Sequence, residues 1–356
     1  MGWTRRDWLA GLGGFAGLGA GSRLLSPAAA PPATAEQNAP QGQVYMPQRN
    51  KPLPYTKKQM PWEMRRGAKV WPNGARMAVI SYSALEMWDW GGPRLQAVAG
   101  RPNARSFTNL GISPLDARTS VTYGADIGCR RLKEVLQELG IEKQFVALVC
   151  GSFAEDFPEQ VKALADIGCE INAHTYSYSV GTVELTRDQQ REDMRKTVRI
   201  LQQVTGQKPV SWLSQGAACD ANTVELLAEE GFLCHCDLQD DELPYFIEVN
   251  GKTIVEVPYR MAGNLNDHIY VTPANYKLAD ALGALKEKFD LIYKDCEKHP
   301  QHVVLGTHPH VTGRADSMWV FSELIKYVKS HPDVWIATYK DVAEWWMKRF
   351  GNGYSV

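Results

Sequence analysis

The sequence lacks the marks of several large protein classes. No Gly-x-Gly-x-x-Gly follows a strand-like run, so a dinucleotide fold is without its fingerprint, and no full Gly-x-x-x-x-Gly-Lys-Ser/Thr phosphate loop occurs. No Cys-x-x-Cys is present among seven cysteines. Cys234-His235-Cys236 is too tight for a zinc knuckle and has no second half. A chain of 356 residues can build a large core without disulfides, and the odd, unpatterned cysteines read as small buried residues. Lys and Arg (39) balance Asp and Glu (40), and the net charge of −1 gives no basis for nucleic-acid binding.

There is also no sound membrane span. The one apolar candidate, between Trp8 and Leu25, is glycine-rich and broken by Arg23. It follows Thr4-Arg5-Arg6-Asp7-Trp8-Leu9 and precedes Ala28-Ala29-Ala30 and Ala33-Thr34-Ala35, which are small-residue cleavage candidates. This arrangement resembles a twin-arginine export signal. The expected organisation is a signal over residues 1–35, an arm over 36–75 and a catalytic body over 76–350. The protein is expected to be exported, to the periplasm by that route. Nothing in the sequence rules out an oligomer.

Aromatics, by contrast, are plentiful: 11 Trp and 14 Tyr. Trp88 and Trp90 fall in a loop, where they suit the wall of a pocket for a flat ligand; core packing accounts for most others.

The chain is organised around His302-Val303-Val304-Leu305-Gly306-Thr307-His308-Pro309-His310 and the Val311-Thr312-Gly313-Arg314 that follows. An apolar run reads as a buried strand. It breaks into two histidines around a stiffening proline, and in extended backbone side chains at i and i+2 share a side. Earlier runs have the same form. Strands are expected at Met77–Tyr82, Phe145–Val149, Cys169–Ala173, Val210–Leu213, Phe232–Cys236, Ile254–Val257 and Val334–Ala337. Helices are expected at Asp126–Leu139, Pro158–Ile167, Asp188–Thr205, Ala221–Glu230, Leu278–Lys298, Met318–Ser330 and Lys340–Arg349, with Asp126 as a cap and Gly231 as a terminator. Strand and helix alternate, which means a mostly parallel sheet with covering helices. Seven or eight such units favour a single-domain α/β fold, a distorted (β/α) TIM-like barrel of seven to eight strands, over an open sheet.

In such a barrel the chemistry sits at the C-terminal ends of the strands. The polar residues there are Glu86, His174, Trp212 with Gln215, Asp237 with Asp240 and Asp241, Tyr259 with Asn264, and His308 with His310. Each alone is ordinary, and His174 in isolation reads as a core histidine. Their gathering on one rim points to a site.

The same segments resemble the polysaccharide deacetylase superfamily, in particular its allantoinase-like branch. The carriers are Tyr123-Gly124 with Asp126 and Gly128; Gly168 to Tyr176; Pro209-Val210-Ser211-Trp212; Asp240-Asp241 with Leu243-Pro244-Tyr245; Val257-Pro258-Tyr259; and His308 to Arg314. The resemblance spans roughly Ala75 to Trp346. It implies a distorted barrel and hydrolysis of non-peptide carbon–nitrogen bonds in acetamido sugars, ureides or cyclic amides. Two departures stand out. The sugar deacetylases carry an Asp-Asp pair after the first strand; here a single carboxylate, Glu86, stands there. Their second metal-binding histidine is replaced by Tyr178, so the usual three-ligand set is incomplete.

The expected catalytic residues are Glu86, His308 and His174. Substrate contacts are expected from Trp88, Tyr123, Trp212, Asp240, Asp241, Tyr259, His310 and Arg314, the last as a clamp for a carboxylate or carbonyl. The cofactor is either none or one divalent metal, zinc, held by Glu86, His174 and His308. Without metal, Glu86 serves as base, its pKa raised by burial, and His308 as acid. The expected activity is hydrolysis of a small cyclic or linear amide or ureide. The alternatives are a metal-dependent N-deacetylase of cell-wall or other oligosaccharides, and a catalytically degenerate periplasmic small-ligand binding protein.

Overall fold

Nine consecutive buried residues make the longest strand, Met77–Leu85. In the computed structural model, residues 52–89, 115–259, 265–271 and 277–355 are described. Residues 1–35, Trp90 and Asn264, to which expectations attach, lie outside these ranges.

The strands are β1 (Thr56–Lys58), β2 (Met77–Leu85), β3 (Phe145–Val149), β4 (Glu170–Ala173), β5 (Ser211–Trp212), β6 (Cys234–His235), β7 (Tyr245–Val249), β8 (Lys252–Glu256), β9 (Leu265–Asn266), β10 (Gln301–Thr307) and β11 (Val334–Ala337). Their order is β1-β7-β8-β6-β5-β4-β3-β2-β10-β9, with β11 also paired to β2. From β8 to β9 every neighbouring pair is parallel. β3 pairs with Ser81–Leu85 of β2, while β11 pairs with Met77–Ile80. Two strands thus share one side of β2, which distorts the sheet. The result is an α/β domain with a mostly parallel sheet and helices, consistent with a distorted (β/α) barrel.

The central strands β2, β3 and β10 are buried at every position and mostly apolar, because both faces are covered. Alternate residues of β2 go opposite ways: Met77 and Val79 pack with the helices, and Ala78, Ile80, Tyr82 and Ala84 pack in a second core. The helices are α1 (Trp62–Arg65), α2 (Leu115–Tyr123), α3 (Cys129–Leu139), α4 (Gly151–Asp156), α5 (Pro158–Asp166), α6 (Arg187–Thr205), α7 (Ala221–Glu229), α8 (Asp267–Tyr270), α9 (Leu278–Asp295), α10 (Ala315–Lys329) and α11 (Tyr339–Phe350). In α3 the buried positions Cys129, Leu132, Leu136 and Leu139 recur at helical spacing. A capping box at Thr186 starts α6, and Gly206 at φ 75° ends it. No described helix is long and apolar enough to cross a membrane.

Several boundaries differ from the sequence expectation. Asp126 caps nothing: α2 runs through a π-helical turn, Gly124–Gly128, straight into α3, and Asp126 pairs with Arg130 on the surface. The antiparallel hairpin β7–β8 replaces the single strand expected at Ile254–Val257. Residues 52–75 of the expected arm belong to the body: β1 pairs with β7 and Trp71 is buried.

Candidate active site

Glu86 is the residue after β2, His174 the residue after β4, and His308 the residue after β10. All three are at least 95% buried. Glu86 Oε1 stands 3.6 Å from His174 Nε2 and 3.6 Å from His308 Nε2. One carboxylate thus faces two imidazole edges.

Each imidazole is held from behind. His174 Nδ1 donates to the Leu213 carbonyl at 2.5 Å, which leaves Nε2 toward Glu86. The next residue, Thr175, has φ 56°, a left-handed conformation that costs a β-branched residue about 1–3 kcal/mol. That turn carries the chain away from the pocket directly after His174. His308 Nδ1 meets Asp267 Oδ1 at 2.7 Å, while Asp267 Oδ2 accepts from the His308 amide at 2.7 Å and from Thr312 Oγ1 at 2.5 Å. Asp267 therefore grips both the ring and the backbone of the loop.

The His308-Pro309-His310 backbone rests on glycine. A Cβ on Gly124 would lie 2.5 Å from the His310 nitrogen, and one on Gly128 would lie 2.6 Å from the Pro309 oxygen. The π-helical turn is the bed on which the two histidines are laid.

Charge follows from this arrangement. Burial pushes the Glu86 carboxyl up, but the His308 charge and hydrogen bonding to His174 and His308 outweigh it and hold it well below the ordinary range. The sequence expectation of a Glu86 raised toward neutrality is overturned, because burial arrives together with a cation. Burial disfavours the His308 imidazolium, yet Asp267 and Glu86 together raise it to about 10. His310 goes the other way, to about 3, through burial and repulsion from His308. At neutral pH the site therefore holds Glu86 and Asp267 as anions, His308 as the cation between them, and His310 neutral.

A pocket of about 370 Å³ opens here, lined by Glu86, Trp88, Tyr178, Gly181, Val183, Gln215, Gly216, Ala218, His268 and His310. Hollows of about 530 and 550 Å³ elsewhere are lined by helix-surface side chains such as Arg195, Glu230, Lys133 and Glu134, with no histidine among them. Trp88 stacks at a tilt on Tyr178 (5.1 Å) and meets the His310 ring edge-on (5.6 Å). His310 Nε2 is buried and has no hydrogen-bond partner among the described residues, so it is available to a ligand.

The remaining expected residues are placed elsewhere. Trp212 does not line the pocket: it is 1% exposed, donates to Ser214 Oγ and packs on Phe232. Asp241 forms a buried pair with Arg65 (2.6 Å), and Asp240 takes Lys57 (2.9 Å) and the Tyr245 hydroxyl (2.7 Å). These two carboxylates fasten residues 57–65 to the body. Tyr259 shares its hydroxyl with Tyr82 (2.7 Å) and Asn266 (3.2 Å) behind the pocket. Arg314 is exposed and lies over the Tyr123 ring (4.8 Å), whose hydroxyl accepts from Arg131 (3.1 Å). Tyr123 and Arg314 thus brace each other outside the described pocket lining. Sequence reading missed Asp267 and His268, which follow a two-residue strand with no periodic signal.

A divalent metal is a poor match to Glu86, His174 and His308 as they stand. Tyr178 donates its phenol toward Glu86, and burial holds that phenol protonated. A neutral phenol on the carboxylate competes with a metal rather than ligating one. Glu86, His174 and His308 are also not among the groups of described residues whose donor atoms all lie within 4.8 Å. Asp267, His268 and His308 do lie that close, but they are a different set from the one expected from the sequence. The expected three-ligand set does not fit.

The comparisons with known proteins agree with this architecture. Residues 123–234 match the family model Polysaccharide deacetylase. A peptidoglycan deacetylase of Helicobacter pylori is 22% identical over 258 residues, covering 64% of this chain and 86% of that one. The crystal structure of Puue allantoinase is 25% identical, covers 86% of this chain and 96% of its own, and superposes with a TM-score of 0.67. A probable polysaccharide deacetylase from Pseudomonas aeruginosa PAO1, 24% identical over 84% of this chain and 95% of its own, shares the fold with a TM-score of 0.66. Residues 123–234 thus match the polysaccharide deacetylase family, and the chain as a whole is similar to deacetylases and to an allantoinase, which are hydrolases acting on carbon–nitrogen bonds other than peptide bonds.

Proposed function

We propose that this protein hydrolyses a small cyclic or linear amide or ureide by direct attack of water, with Glu86 and His308 moving the protons. The observation that carries the reading is the single carboxylate oxygen 3.6 Å from both imidazole nitrogens, inside a pocket of about 370 Å³. That volume suits a small molecule.

The substrate sits on the Trp88 and Tyr178 rings with its carbonyl toward His310. Water bonds to the carbonyl carbon while its proton goes to Glu86 Oε1. The carbon–nitrogen bond then breaks as His308 Nε2 hands its proton to the leaving nitrogen. A carboxylate held low is a weak base, but its acidity has a local cause. As His308 shifts its proton toward the substrate nitrogen during the attack, the charge holding Glu86 down weakens and burial favours protonation of its carboxylate. Loss of the proton by one partner drives its uptake by the other. Transfer from Glu86 back to His308 restores the pair, and one water and one amide have become an acid and an amine. His174 positions the carboxylate.

Export through the twin-arginine route is part of the proposal, motivated by Arg5-Arg6 and the small residues before Glu36. The test is a panel of hydantoins, ureides, imides and acetylated chitooligosaccharides with purified protein. Turnover of a ureide or cyclic amide, with kcat of His308→Ala down roughly 10²–10⁴-fold at little change in binding, is the expected result. Turnover of oligosaccharides alone, or binding without turnover, refutes it.

A further inference from the structure

A second polar cluster lies on the same barrel, away from the pocket lining. β6 ends at His235 and β8 at Glu256; Asp237 follows β6, and Cys219 lies in the loop before α7. His235 Nε2 is 3.0 Å from Asp237 Oδ2, and Nδ1 is 2.6 Å from Glu256 Oε2, with all three side chains 0% exposed. One donor atom each from Cys219, His235 and Asp237 lies within 4.8 Å of the others.

An ordinary buried ion pair does not account for this group. Two carboxylates flank one imidazole with all three side chains buried, and beyond that ring they have only backbone amides, Ser214 on Asp237 and Leu238 on Glu256, to offset their charge. His235 Nδ1 and Glu256 Oε2 stand 2.6 Å apart off the hydrogen-bond direction, and among the described residues neither atom has another hydrogen-bond partner, while Glu256 Oε1 accepts from the Leu238 amide at 2.9 Å. Thiol, imidazole and carboxylate are together the donors that zinc takes, and a metal-bound histidine commonly has a carboxylate behind its other nitrogen. Bonds of about 2.0–2.3 Å in a tetrahedron set donors about 3.3–3.6 Å apart; His235 Nε2 and Asp237 Oδ2 are 3.0 Å apart, and the Cys219 sulfur lies within 4.8 Å of both.

We propose that Cys219, His235 and Asp237 bind one divalent transition metal, zinc by donor type, with Glu256 orienting the imidazole from behind. Binding releases the thiol proton and frees His235 Nε2 of its own, so two anions and a neutral ring meet the dication. Cys234 and Cys236 are not part of the set; their sulfurs pair with each other at 3.4 Å. The site would lock the loop between β5 and α7, in which Gln215, Gly216 and Ala218 line the pocket and the Ser214 amide already donates to Asp237 at 2.6 Å. It does not depend on the chemistry proposed for Glu86 and His308.

The experiment loads full-length protein with Zn²⁺ or Co²⁺, removes loose metal, and measures metal per chain and the absorption spectrum. About one metal per chain is expected, with a thiolate-to-cobalt charge-transfer band in the near ultraviolet. Cys219→Ser should lose the band and most of the metal, while Glu86→Gln keeps both. If Cys219→Ser does not fold, alkylation of intact wild-type protein answers instead: zinc should shield Cys219 from iodoacetamide and a chelator should expose it. No retained metal, metal without the charge-transfer band, metal lost in Glu86→Gln, or Cys219 alkylation indifferent to zinc each overturns the proposal.

Discussion

Asp267→Asn is the most telling perturbation of the proposed acid. Asp267 accepts hydrogen bonds from the His308 ring, the His308 amide and Thr312, and its charge is the first of the two that lift His308 to about 10. The amide keeps the shape and loses the charge. Burial then has only Glu86 against it, so His308 should release its proton at a pH lower by roughly two units. The acid must be protonated to act. The alkaline limb of kcat/KM should therefore move down, from near pH 10 in the wild type to near pH 8 in the variant. At pH 7 the ionisation loss is small, and any fall there reports the looser ring. By pH 9 the variant should have lost roughly a further tenfold relative to wild type. The assay is initial rate against pH with a turned-over panel substrate, with Asp267→Ala as the control that loses both shape and charge. An alkaline limb that stays in place while the rate falls evenly at every pH would refute the reasoning, since Asp267 would then act by shape alone.

Other outcomes follow from the same structure. Asp241→Ala leaves Arg65 buried without its carboxylate and should destabilise the fold by about 3–5 kcal/mol in urea unfolding. Its kcat should stay within twofold or so of wild type, because the residue lies outside the pocket lining. Gly124→Ala drives a methyl into the His310 backbone and should cost about 1–3 kcal/mol of stability. It should also cost a larger share of activity than of stability, with Ala125→Gly as the neighbouring control. On the alkaline side, His308 has its folded-state pKa raised to about 10 above an ordinary 6.5. Its stabilising contribution is complete below pH 6.5, declines above it and is gone past about pH 10, so Tm should fall across that window and fall less in His308→Gln. Glu86 and Asp267, both held low, act oppositely: their contribution is lost as pH drops below the ordinary carboxylate range.

The alternation of apolar runs with amphipathic stretches was enough to read a parallel α/β barrel from the chain alone, because a strand buried on both faces is mostly apolar along its length. The end of such a run also marks the catalytic rim, so Glu86, His174, His308, His310 and Trp88 were legible as neighbours before any coordinates. What only tertiary structure decided was where the remaining polar groups turned. Asp240 and Asp241 end a strand region on the same rim, yet two cations from residues 57–65 claim them. Trp212 could face in or out, and a two-residue strand has no periodicity to say which. Asp267 comes from a segment without a pattern and becomes the partner of His308 only when β9 and β10 pair. The sign of the Glu86 shift could not be read from composition, since burial and an imidazolium oppose each other and their balance depends on a separation of a few ångströms. Local sequence sets which backbone each segment adopts; charge and partnership depend on distances between segments far apart in the chain, and only the folded chain sets those.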